Sequence, residues 1–215
     1  FAGRPIGSFG HLACFSFYPS KNLGAVGNAG LIATDDPDLA DRARRLRDHG
    51  QRSRYLHEEV GYNYRMDTLQ ATVLREKLRH LEAWNTMRRV AAKHYLDLLA
   101  GLPLELPKEC HGRHVYHLFV VRTENRDELR THLGEHGIET GLHYPVPLHR
   151  QPCFADFGYD QDSYPVADNY ADQGLSLPMY PGITESQTAF VAETIRDFFA
   201  QRGKSRTSRR ALGLA

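Results

Sequence analysis

Apolar positions along the chain follow two different periods. Leu12-Ala13-Cys14-Phe15-Ser16-Phe17 is a short, nearly continuous apolar run, the pattern of a buried strand. A loop punctuated by Gly24, Gly27 and Gly30 separates it from a second short run, Leu31-Ile32-Ala33-Thr34. Asp36-Pro37 opens a helix, with the aspartate as cap and proline at the first helical position. Gly50 closes that helix behind a basic last turn holding Arg47 and His49. Residues 51–66 are rich in Arg, Tyr and Gly, show no period, and read as irregular.

From Asp67 the period becomes helical. Leu74, Leu78, Leu81, Trp84, Met87, Ala91, Tyr95 and Leu98 recur at spacings of three and four. They predict one helix, or two nearly collinear ones, opened by a capping box from Asp67 to Gln70 and ending near Gly101-Leu102-Pro103. At about 1.5 Å per residue it would span about 45 Å, enough to run from one domain into another. Beyond it the pattern is that of a compact α+β unit. Residues 115–122 are β-rich, and Asp127 to His136 is an amphipathic helix closed by Gly137. A short strand around Ile138-Glu139-Thr140 leads into the proline-rich Tyr144-Pro145-Val146-Pro147-Leu148. Thr184 to Gln187 caps a last helix running to about Gln201. The expected division is therefore 1–88, 89–201 and a basic tail, 202–215, without fixed structure.

Composition narrows the class. At 215 residues, 41% apolar and 25% charged, the chain is globular and long enough to bury a core. It has no apolar run of about 18 residues, so no transmembrane helix is expected. The opening Phe1-Ala2-Gly3-Arg4-Pro5 lacks both an initiator Met and the layout of a signal peptide, the expectation for a processed chain or a fragment. Of 27 basic residues, Arg202, Lys204, Arg206, Arg209 and Arg210 crowd the tail; the rest are outnumbered by 26 acids. A mildly acidic body with a solvated basic end argues against nucleic acid as partner. Three well-separated cysteines, Cys14, Cys110 and Cys153, suit a reducing, cytoplasmic setting. Cys110, His111, His114 and His117 raise a metal site. His114 and His117 lie three positions apart, however, so on one strand they face opposite sides, whereas zinc needs convergent ligands; no metal is expected. Phe15/Phe17 and Phe198/Phe199 read as core, and Arg42, Arg44, Arg45, Glu58 and Glu59 as solvated faces.

Candidate chemistry is densest in Ser16-Phe17-Tyr18-Pro19-Ser20-Lys21-Asn22-Leu23-Gly24. A lysine between a buried strand and a glycine-rich turn can be held in a low-dielectric site, where its amine becomes a nucleophile for carbonyls; read from spacing alone, an exposed turn lysine is the favoured reading. Hydroxyls at Ser16 and Ser20 beside turn N–H groups suit a phosphate.

This stretch, continued to Ala25, resembles the cofactor-lysine signature of the DegT/DnrJ/EryC1/StrS sugar aminotransferases. The likeness extends, in the family's order, through residues 46–50, 61–71, 77–85, 141–149 and 175–181. It implies an α/β fold: the C-terminal part of a fold-type-I pyridoxal-phosphate-dependent transferase, with a remnant of the large cofactor-binding domain and a small α+β domain. It also implies a homodimer with shared active sites that moves an amino group from an amino acid, glutamate in most members, to a nucleotide-linked keto-sugar. On this resemblance Lys21 matches the Schiff-base lysine and catalytic base, Ser16 the hydroxyl on the cofactor phosphate, and Asn63 an asparagine reaching the phosphate of the neighbouring subunit's cofactor. Arg65, His143, Tyr144 and His149 fall where substrate is expected. Members with histidine in place of the lysine act as dehydratases, a branch that Lys21 disfavours. The chain departs from the pattern at Asn28-Ala29, where an acidic residue and glycine are usual. The lysine also stands at position 21 rather than mid-chain. The half carrying most of the large sheet, the ring-stacking aromatic and the pyridine-protonating aspartate is absent, so the chain is expected to be inactive alone. The alternative is a truncated, non-catalytic interaction protein of the same fold.

Overall fold

The computed structural model describes residues 1–159 and 164–211, with side chains described to residue 203. It forms two compact units: Phe1–Trp84 with Cys110–Arg113, and Asn85–Glu109 with His114–Ala215. The boundary falls inside a helix, one turn before the expected residue 88. The four residues considered as metal ligands divide between the units, Cys110 and His111 in the first, His114 and His117 in the second. Among the described residues no three His, Cys, Asp or Glu side chains are arranged to hold a metal, and no helix is long and apolar enough to cross a membrane.

In the first unit β1 (Ala13–Ser16) pairs antiparallel with β2 (Gly30–Ala33), Ala13 opposite Ala33 and Ser16 opposite Gly30. Helix α1 (Pro37–Arg47) starts as its sequence dictates: Asp36 Oδ1 accepts from the N–H groups of Asp38 (2.8 Å) and Leu39 (3.2 Å), with Pro37 at its first position. The segment read as irregular contains a small hairpin, β3 (Gln51–Ser53) and β4 (Leu56–His57), too short to leave a period in the sequence. The long helical pattern resolves into α2 (Thr68–Leu78) and α3 (Leu81–Leu99), divided at Arg79-His80. One expectation fails. The β1 run is not buried: Cys14, Phe15 and Ser16 are exposed, as are Leu31 and Ile32 at about half their surface. A two-stranded sheet covers neither of its own faces. Ala25 and Leu74 are the fully buried apolar side chains described in this unit.

The second unit holds the core. Strand β5 (Phe119–Arg122) pairs antiparallel with β6 (Gly174–Leu177), Phe119 opposite Leu177 and Arg122 opposite Gly174. Phe119 and Val121 alternate inward and meet Tyr95 and Leu99 of α3, Leu129 and Leu133 of α4 (Arg126–Glu135), and Ile195 and Phe198 of α6 (Glu185–Ala211). Each such side chain contributes about 1.5–3 kcal/mol on burial. Phe198 and Phe199 pack as expected of core; Phe15 does not. The β-rich run is shortened because Tyr116 sits at φ 42°, outside extended geometry. The strand expected at 138–140 is replaced by a single bridge, Gly141 to Ser176. Helix α5 (Pro165–Gln173) gave no sequence signal. The capping box of α6 forms, Thr184 N–H donating to Gln187 Oε1 (2.9 Å) and Gln187 N–H to Thr184 Oγ1 (3.2 Å). That helix continues through most of the expected tail to Ala211, where Arg, Lys and Ala favour helix; residues 212–215 lie outside the described residues.

Candidate active site

Lys21 sits on the turn that follows β1. Backbone bonds extend the ladder past the strand ends, Phe17 N–H to Ala29 O (2.9 Å) and Ala25 N–H to Phe17 O (2.8 Å), and so close the base of a loop over residues 17–29. At its tip Lys21 N–H donates to Tyr18 O (2.8 Å), while Ser16 Oγ accepts from Tyr18 N–H (3.3 Å). Ser16 and the half-buried Lys21 thus belong to one tight turn. The turn needs glycine at 24: a Cβ there would stand 2.2 Å from Pro19 O.

Helix α2 holds this loop. Gln70 Oε1 accepts from Val26 N–H (3.0 Å) and Gly27 N–H (3.2 Å), and Lys77 Nζ donates to Gly24 O. The spacing of Asp67 and Gln70 predicts a capping box, but the Asp67 side chain makes no capping bond. Two loop N–H groups take the Gln70 carbonyl instead. Neither Gln70 nor Lys77 stood out as a site residue, because their partners are peptide groups that leave no trace in sequence.

Asn63 and Arg65 lie on an extended segment beside the end of α1. Tyr62 N–H donates to Leu46 O (2.7 Å), His49 N–H to Tyr62 O (2.9 Å) and Tyr64 N–H to Arg47 O (2.8 Å). This approach depends on Gly61, where a Cβ would come within 2.1 Å of Gly50 N. Tyr62 and Tyr64 stack with ring centroids 4.9 Å apart, and the alternation of an extended chain sends the exposed Asn63 side chain the other way. The Arg65 guanidinium pairs with Asp48, whose carboxylate also accepts from Gln51 Nε2 (2.8 Å). The Gln51 bond first, and Arg65 second, hold the Asp48 carboxyl below its ordinary 3.8. A lowered pKa means that this tether is complete above the ordinary value and is lost as pH falls through the lowered one. Carboxyl NMR titration of the chain should place the Asp48 midpoint below 3.8, and Arg65→Met should move it upward; an unmoved midpoint would remove Arg65 as a cause.

The remaining predicted residues belong to the second unit. His143 Nδ1 lies 2.8 Å from Ser176 Oγ on β6, and Tyr144 is largely exposed. His149 is buried, its Nε2 3.1 Å from Asp168 Oδ1 on α5. The same carboxylate takes two bonds from Arg150, at 2.6 and 2.8 Å, and that guanidinium holds Asp168 below the usual carboxylate range. Around this group Tyr144, His149, Tyr159, Tyr164 and Tyr170 line a cavity of about 820 Å³.

The residues present fit pyridoxal phosphate. A primary amine for its aldehyde and a hydroxyl for its phosphate stand on one turn, drawn so tight that residue 24 has no room for a side chain. Known proteins carry the same arrangement of sequence and fold. The chain is 47% identical over 200 residues to dTDP-3-amino-3,4,6-trideoxy-alpha-D-glucose transaminase of Streptomyces venezuelae, covering 92% of this chain and 53% of that protein. The solved structure of DesV from S. venezuelae matches with TM-score 0.85 at 47% identity, over 92% of this chain and 54% of the other. NtdA from Bacillus subtilis, solved with bound cofactor PMP, matches with TM-score 0.77 at 31% identity, over 89% of this chain and 47% of that one. The chain thus spans about half the length of the relatives it matches. The family model of the DegT/DnrJ/EryC1/StrS aminotransferases matches residues 1–196, and the chain belongs to that family.

Proposed function

We propose that the chain is the lysine-bearing portion of a pyridoxal-phosphate-dependent enzyme that moves an amino group from an amino acid, glutamate, to a nucleotide-linked keto-sugar. The observation that carries this reading is the position of Lys21, on a tight turn five residues after the Ser16 hydroxyl, in a chain of this family. The bound cofactor supplies the electron withdrawal that makes the donor's α-hydrogen acidic. Lys21 Nζ anchors the cofactor aldehyde, and once displaced it takes the proton from the α-carbon of the amino donor. Ser16 Oγ binds the phosphate. Asn63 reaches the phosphate in the neighbouring subunit of a homodimer, so each site draws on two chains. Arg65 contacts the substrate or that interface, and His143, Tyr144 and His149 face the nucleotide-sugar. The working compartment is the cytoplasm.

Two measurements bear on this reading. The chain alone should not transaminate, whereas the chain joined to the part of the S. venezuelae protein that it does not span should do so with a dTDP-linked keto-sugar and glutamate. Failure of the joined protein, folded and dimeric, would contradict the proposal. In that protein Ser16→Ala and Asn63→Ala should each raise the cofactor Kd about 10- to 100-fold, the effect of removing one hydrogen bond to a charged group. The exposed apolar strands of the first unit favour a second reading, a non-catalytic binding protein of the same fold. It would gain if the joined protein bound neither cofactor nor sugar.

A further inference from the structure

We infer that Gln70 and Lys77 are positioning residues for the reaction: together they fix, from helix α2, the backbone of the loop that presents Lys21. The inference rests on the reading of Lys21 given above. Seven residues apart, the two side chains lie two turns along one face of α2, with the buried Leu74 between them. They meet three peptide groups of the same loop: the Gly24 carbonyl takes the Lys77 ammonium, and the Val26 and Gly27 N–H groups share the Gln70 carbonyl oxygen. Lys77 is half-buried, its Nζ also 5.9 Å from the centre of the Trp84 ring, so the ammonium is directed rather than solvated. All three contacts are to backbone. None uses the side chains of the loop itself.

Such a clamp matters because displacements of about 1 Å at a reacting group cost rate steeply, and loops are the parts of a fold that open most readily. Gln70→Leu keeps the helix but removes the acceptor; Gln70→Glu keeps two acceptor oxygens. In the 215-residue chain, hydrogen exchange of the Val26 and Gly27 amides should quicken about tenfold in Gln70→Leu and stay near the original rate in Gln70→Glu, with the amides of residues 119–122 unchanged in both. Lys77→Met tests the same loop from its other contact should Gln70→Leu not fold, and should speed the same amides. In the joined protein, pyridoxal phosphate with borohydride should label Lys21 several-fold less in Gln70→Leu, relative to the exposed Lys93, and Gln70→Glu should restore the ratio. Unchanged loop exchange in Gln70→Leu and Lys77→Met, or an unchanged labelling ratio, would overturn the inference. Absence of label at Lys21 in the unsubstituted protein would instead remove the reading on which it rests.

Discussion

Replacing Lys21 by alanine in the joined protein should lower transamination by about 10³-fold or more, the scale of a lost general acid–base group compounded by loss of the covalent anchor. Lys21→Arg should do the same. The guanidinium keeps the charge but stays protonated at any working pH, so it neither condenses with an aldehyde nor accepts a proton from carbon. Both variants retain the backbone N–H that the residue donates to Tyr18 O in the turn. Turnover near that of the unsubstituted protein, in either variant, would show that another group takes the proton. Because arginine also removes the nucleophile, the pair of variants separates chemistry from charge.

The largest effect on stability is expected at Phe119. This ring is fully buried, 5.0 Å from Tyr95 and 6.2 Å from Tyr116 between ring centroids. Phe119→Ala removes an aromatic side chain where α3, β5 and the residues before β5 meet, and the ordered neighbours can close the space only in part. Urea denaturation should report a loss of about 3–5 kcal/mol in the unfolding of the second unit. A loss below about 1 kcal/mol would mean that the site collapses around the smaller side chain and that this core is loosely packed.

These two residues also mark what the sequence makes legible. Phe119 lies in a β-rich run followed by an amphipathic helix, and elements of this kind survive as α3, β5, α4 and α6, although β5 keeps only the last four residues of its run and α6 passes well beyond Gln201. Short or unpatterned pieces do not announce themselves. The β3–β4 hairpin has too few residues to alternate, and α5 opens on Pro165 with little apolar content. The burial of β1 is misread for a different reason: an apolar run records the need for cover, and two strands cannot supply it. Within the proposed site, Ser16 and Lys21 stand out through resemblance because the roles proposed for them belong to side chains. Gln70, Lys77 and Asp48 act on a loop backbone or on a distant guanidinium, and such pairings exist only once the chain is folded.

The most direct test of the account is chemical. Borohydride reduction of the joined protein loaded with pyridoxal phosphate, followed by peptide mapping, should place a single stoichiometric pyridoxyl group on Lys21. A stoichiometric label on another lysine with Lys21 left free, or no stoichiometric label at all, would contradict the assignment of this turn as the catalytic centre.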